Sequence, residues 1–182
     1  FTVASYMIEG SGSKTFTEVK KLRYQQPEVF TGLLDFVGAV TTEYLLMQVK
    51  SGADCLMLFD TWASQLTAAD YRNLVLPHVN KIIHDVKAHW DGPIIYYPGQ
   101  SLEWLFELDG YLGDVLAIDW RSRLPRAIAL LENLGLNVSV QGNLDPQSLM
   151  SPEELLRQNV RAIVESGRQA RGHIFNVGHG LL

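Results

Sequence analysis

The sequence predicts an α/β fold of the parallel (β/α)8 TIM-barrel type, incomplete in this chain, and three observations carry that prediction. Short apolar runs alternate with longer helical patterns, the signature of βα units around a parallel sheet. Six candidate strands are too many for a small sandwich and too few to close an eight-stranded barrel. No Gly-x-Gly-x-x-Gly run follows any of them, which weighs against the remaining alternative, a doubly wound dinucleotide-binding sheet.

The strands are expected at Thr2–Met7, Cys55–Phe59, Ile94–Tyr97, Val115–Ile118, Asn137–Gln141 and Ile174–Val177. Between the first two, Pro27 starts a helix whose apolar positions (Phe30, Leu33, Leu34, Val37, Val40, Thr41, Tyr44, Leu45 and Val49) share one face until Ser51-Gly52 ends it. A second helical stretch runs from Thr67 to Trp90, where Pro77 predicts a kink or a split. Ser101 begins a short helix through Leu108. Ser151-Pro152-Glu153-Glu154 is the clearest start signal, a capping residue with proline at the first helical position and an acid behind it, opening a helix to Ser166-Gly167. There are no repeats or low-complexity linkers, so residues 1–182 read as a single domain, an incomplete barrel.

Composition narrows the function. An apolar content of 47% with 19% charged residues indicates a folded chain, and a net charge of -5 argues against a nucleic-acid surface. The single Cys55 excludes a disulfide framework, fits a reducing compartment and reads as a small buried hydrophobe. No run approaches the roughly 18 to 20 apolar residues of a membrane span. Gly10-Ser11-Gly12-Ser13-Lys14 lacks the spacing of a phosphate loop.

In a parallel barrel, functional residues gather where strands end. That rule selects Tyr6, Asp60, Thr61, Tyr97, Asp119, Gln141, Asn143, Asp145 and His179. His179 stands between Gly178 and Gly180, so the backbone can turn and a ligand approach, and its imidazole can carry charge near neutral pH. Tyr6 also fits a half-buried aromatic with a solvated hydroxyl. Asp119 fits an N-cap or Asx-turn, and Asp145, before Pro146, is assigned mainly to loop architecture. His78, His84, His89 and His173 read as structural or solvated, and His84 with Cys55 does not make a zinc-site spacing.

Five segments in order (ASYMIEGSGSK from Ala4, LFDTW from Leu58, AIDW from Ala117, QGNLDP from Gln141 and HIFNVGHG from His173) resemble the C-terminal part of the uroporphyrinogen decarboxylase family. The resemblance implies a cofactor-free, metal-free carboxy-lyase that converts the four acetate side chains of uroporphyrinogen III to methyls, giving coproporphyrinogen III. It implies that Tyr6 and His179 are catalytic, that Tyr6, Thr61 and His179 contact the tetrapyrrole's carboxylates or ring, and that Phe59 and Tyr97 support the macrocycle. Thr61 stands where the family usually has serine, which keeps the hydroxyl and adds a methyl. It further implies a cytoplasmic homodimer with no nucleic-acid or membrane partner.

The family's N-terminal part, with its arginine-rich motif and central aspartate, has no counterpart in the sequence. The chain opens without methionine inside a predicted strand and stops two residues after the glycine-flanked histidine, so a fragment of a longer protein, inactive in isolation, is the expectation. Its open sheet edge is expected to self-associate. Two other readings stand beside this one: a corrinoid- or zinc-dependent methyltransferase on the same barrel, and a non-catalytic barrel remnant.

Overall fold

The computed structural model describes residues 1–13, 15–100, 108 and 110–180. Its centre is one parallel sheet of five strands, β1 (Leu56–Phe59), β2 (Ile94–Tyr97), β3 (Val115–Ala117), β4 (Ser139–Gln141) and β5 (His173–Ile174). The spatial order is the chain order, each strand pairing with the next. A doubly wound sheet reverses its strand order at a switch point, whereas a barrel adds strands sequentially, so the order selects the barrel type. The last predicted strand is shorter than expected, with Val177 joined to Leu144 only by an isolated bridge.

Register separates the two faces of the sheet. Leu56, Ile94, Tyr96, Leu116 and Val140 are linked across the strands and point outward to the helices. Met57, Ile95, Tyr97, Val115 and Ala117 point to the other side, where they form a small cluster of their own. This is the alternation of a pleated strand with both faces apolar.

The first predicted strand is a helix. Thr2–Met7 reads as β-branched and aromatic, yet the chain forms α1 (Thr2–Glu9). Phe1, Ala4, Ser5 and Ile8 supply the reason: they lie at i, i+3, i+4 and i+7, and Ala4 and Ser5 are fully buried. Gly10, in the left-handed conformation at φ 68°, ends the helix by donating its N–H to the Tyr6 carbonyl at 3.0 Å. The Gly-Ser stretch after it is a helix stop.

The next helix, α2 (Thr17–Gln25), is capped by Glu9, whose carboxylate accepts the N–H groups of Glu18 and Val19 at 3.0 and 3.1 Å, and α3 (Pro27–Lys50) follows with proline in its first turn. Among the described residues α3 is long and apolar enough to cross a membrane, by length and composition only, which corrects the reading that no segment approaches that limit. In this fold its Phe30 and Leu34 pack with Ala4 and Val19, and its Leu45 joins the main core.

The split at Pro77 is real. A short turn, α4 (Ala68–Asp70), capped by Thr67, passes through a π-helical turn (Tyr71–Val75) into α5 (Leu76–Lys87), where Pro77 occupies the first turn and needs no N–H donor. Two later helices follow β3 and β4, α6 (Leu124–Asn133) and α7 (Glu153–Gly167). Ser151 does not cap α7: its hydroxyl donates to the Ser148 carbonyl at 2.5 Å, closing the preceding 3-10 turn instead. The helix expected from Ser101 lies outside the described residues.

Candidate active site

The C-terminal ends of the strands are tied to one another before any ligand is considered. After β1, Asp60 turns away from the strand and its Oδ1 accepts both the Thr2 N–H and the Thr2 hydroxyl at 2.7 Å. Thr2 Oγ1 in turn accepts the Trp62 N–H at 3.0 Å. Asp60 therefore works as an anionic cap on α1, supplied from 58 residues away. This assigns it to architecture.

Close backbone approaches explain the glycines. Gly99, at φ 99°, has no room for a side chain, since a methyl there would lie 2.6 Å from the Thr61 carbonyl oxygen. A methyl on Gly178 would lie 2.2 Å from the Trp120 nitrogen, and the Gly178 N–H donates to the Leu144 carbonyl at 2.8 Å. The His179 turn is thus pressed against the loops of both β3 and β4. Gly180 has open space around its Cα and no positive φ, so only one of the two flanking glycines is sterically required.

On the inner face the strand ends enclose a cleft of about 410 Å3 lined by Met57, Phe59, Thr61, Tyr97, Gln141 and His179, with Ala117, Ile118 and the Asn176–Gly180 turn completing it. Its floor is apolar and its rim polar. Gln141 is 6% exposed and reaches across the face, its Nε2 standing 3.7 Å from Met57 Sδ. Phe59 and Tyr97 meet edge to face with centroids 6.3 Å apart. His179 is exposed, with only its own Gly180 carbonyl near Nδ1 at 3.4 Å.

Tyr97 is nearly buried, and burial, followed by the charge of Asp119, pushes its phenol well above the usual range. It remains a proton donor at neutral pH, and its hydroxyl points at Asp119 Oδ2 at 3.4 Å. Asp119 also accepts the Arg121 N–H at 2.9 Å, the Asx-turn weighed in the sequence, and the Arg121 guanidinium through Nη1 at 3.0 and 3.2 Å. Asn143, buried, fastens the β4 loop to the β3 loop by donating to the Asp119 and Ser122 carbonyls at 3.0 and 2.7 Å. Asp145 accepts the Gln147 N–H at 2.9 Å and is loop architecture, as its place before Pro146 indicates.

The structure brings together Phe59, Thr61, Tyr97 and His179. Tyr6 stands apart from them, on α1 rather than at a strand end, with its hydroxyl accepting the Trp62 indole N–H at 2.6 Å and its ring edge-on to Trp62. Sequence reasoning missed Met57 and Asn176. Met57 was accessible to it, since it precedes Phe59 by two on the same strand and must share its face. Of the histidines read as structural, His173 holds the Gly142 carbonyl at 2.6 Å and His78 the Leu74 carbonyl at 2.7 Å, while His84 is exposed.

Comparison with known proteins gives this architecture its context. A methyltransferase from Methanosarcina mazei superposes with a TM-score of 0.74 over 96% of this chain and 57% of its own, at 13% identity, a likeness of fold. Uroporphyrinogen decarboxylases from Chloroflexus aggregans, Nocardioides sp. and Geobacter sulfurreducens are 42%, 43% and 38% identical across the whole chain. The chain spans about half the length of these curated relatives, 51 to 52%. The family model described as uroporphyrinogen decarboxylase (URO-D) matches residues 1–182 from end to end, so the chain belongs to the uroporphyrinogen decarboxylase family.

Proposed function

We propose that the protein carrying this chain removes the carboxyl groups from the four acetate side chains of uroporphyrinogen III, giving coproporphyrinogen III, with no metal or organic cofactor. The observation that carries the reading is the family match over all 182 residues. The cleft supports it, because its strand-end position and its apolar floor with a polar rim suit a flat, acidic macrocycle. The family assignment favours this activity over a barrel methyltransferase.

In this reaction the bond to the carboxyl carbon breaks, its electron pair flows into the protonated pyrrole, carbon dioxide leaves, and the resulting carbon is reprotonated. The substrate ring is the electron sink. What the protein must supply is a water-poor floor, proton donors and grips for the acids. Met57, Phe59, Ala117 and Tyr97 provide the floor. Thr61 offers a hydroxyl with no partner among the described residues, and His179 offers an imidazole that grips a carboxylate better when protonated. Tyr6 acts from the neighbouring helix through the Trp62 contact. The 182-residue chain alone is inactive in this reading, and the working protein is a cytoplasmic homodimer.

Anaerobic incubation of the protein with uroporphyrinogen III, followed by chromatographic separation of products by carboxyl number, tests the proposal. Stepwise loss of four carboxyl groups without added metal is expected. An absence of saturable binding, or a strict requirement for zinc or a corrinoid, overturns it.

A further inference from the structure

An acidic macrocycle needs cationic partners, and among the described residues lining the cleft only His179 can carry positive charge. Arg121 stands just outside this lining, and three contacts connect it to the rim. Tyr97, whose ring faces the cleft, and the Arg121 guanidinium share a single carboxylate oxygen: Asp119 Oδ2 lies 3.4 Å from Tyr97 Oη and 3.0 Å from Arg121 Nη1. The guanidinium also stacks on the Trp120 ring, 4.3 Å from its centroid. The Trp120 backbone, finally, is what Gly178 presses against, which brings the residue before His179 beside the residue before Arg121.

The arrangement immobilises the side chain without consuming it. Asp119 is almost fully buried while Arg121 is about half exposed. Asp119 engages only Nη1, so the edge of the fork formed by Nε and Nη2 has no partner among the described residues. That edge has the planar two-donor geometry that matches a carboxylate. A guanidinium already held by an ion pair and a stacked ring loses little further rotamer freedom on binding, which favours affinity.

We propose that Arg121 is a specificity-determining residue of the cleft, presenting its Nε/Nη2 edge to a carboxylate of the tetrapyrrole beside His179. The proposal rests on the functional reading above. The competing role is purely architectural, since Asp119 also makes the Asx-turn that leads into α6.

Steady-state kinetics with uroporphyrinogen III on the protein carrying this chain separate the two. Arg121→Gln is expected to raise KM about 10- to 100-fold, the loss of a charge-assisted hydrogen-bonded pair, while kcat changes by less than about threefold. Arg121→Lys, which keeps the charge and loses the fork, is expected to fall between. An unchanged KM in Arg121→Gln overturns the proposal, and so does a loss of kcat without a rise in KM that Arg121→Lys fails to rescue, which assigns Arg121 to the loop. If the unsubstituted protein does not turn over uroporphyrinogen, the functional reading falls and Arg121 falls with it; normal turnover with unaffected variants removes Arg121 alone.

Discussion

The two faces of the sheet are built from the same kinds of residue and do different work. On the outer face Leu56, Ile94, Tyr96, Leu116 and Val140 are 0–1% exposed, sealed by α5, α6 and the C-terminal part of α3. On the inner face Ile95, Tyr97, Val115 and Ala117 cover one another at the centre, while Phe59 and Ile174 on the two flanking strands are 65% and 42% exposed. Apolar burial holds the first face together, and the second spends apolar surface on a cleft. In this fold, then, the parity of an apolar strand residue decides whether it is sealed under the helices or lies on the side of the cleft.

That division predicts unequal costs of truncation. Leu116→Ala empties a fully buried site under the helices and is expected to cost about 2–5 kcal/mol, read as a shift in the urea midpoint. A cost below about 1 kcal/mol places the core elsewhere and breaks the comparison.

The rim of the inner face is expected to respond in activity first. His179→Asn removes a charge-assisted contact from an exposed residue, so stability is retained and turnover falls by about one to two decades, with partly decarboxylated intermediates accumulating. Gly178→Ala is expected to cost about 1–3 kcal/mol as well as activity, because the new methyl meets the Trp120 backbone and moves the whole turn. Wild-type rates for His179→Asn remove it from the site. Unchanged stability and activity in Gly178→Ala refute the packing account of the turn.

A pH titration sharpens the contrast further. Tyr71, Tyr96 and Tyr111, buried behind the outer face, all have phenols pushed upward, chiefly by burial. In the unfolded chain a tyrosine ionises near pH 10, whereas these stay protonated in the fold. Their contribution is complete below about pH 10. Above it the unfolded state releases protons that the folded state keeps, so stability falls by about 1.4 kcal/mol per pH unit for each such group. Tyr96→Phe is expected to flatten that alkaline slope by about one group, measured as urea midpoints between neutral and strongly alkaline pH.

How much of this could be read from the sequence depended on whether the cause was local. β2 was found to the residue because its four-residue apolar run is bounded by Gly-Pro and Pro-Gly. α1 was misread because its pattern fits a strand as well as a helix, and the anion at its start, Asp60, comes from the far end of β1. The Gly10 stop is visible in the sequence, but a glycine ends a strand there as readily as a helix. Of the residues that the strand-end rule selects, Thr61, Tyr97, Gln141 and His179 line the cleft, because position along a parallel strand is enough to place them, whereas Phe59 is indicated only by the family resemblance. The rule mistook Asp60 for a cleft residue, since one step along the strand reverses the face. It could not find Arg121, whose significance lies in which carboxylate holds it.

Phe59 provides the smallest expected effect on stability and the cleanest separation of the two faces. It is a large aromatic on β1, apolar like its neighbour Leu58, and by composition alone it would be counted with the core. Most of its ring is exposed, so truncation to alanine gives up little burial and one edge-to-face contact with Tyr97. Such a contact is worth about 0.5–1.5 kcal/mol, which puts Phe59→Ala near the bottom of that range in stability. Its effect on binding should be larger in proportion, because a macrocycle lying on the cleft floor would cover the ring that water now touches. Weakened affinity for uroporphyrinogen with a nearly unchanged urea midpoint is the expected pair of results. A loss of stability as large as that of Leu116→Ala would show that the inner face is sealed like the outer one, and the distinction between a face for folding and a face for binding would not hold.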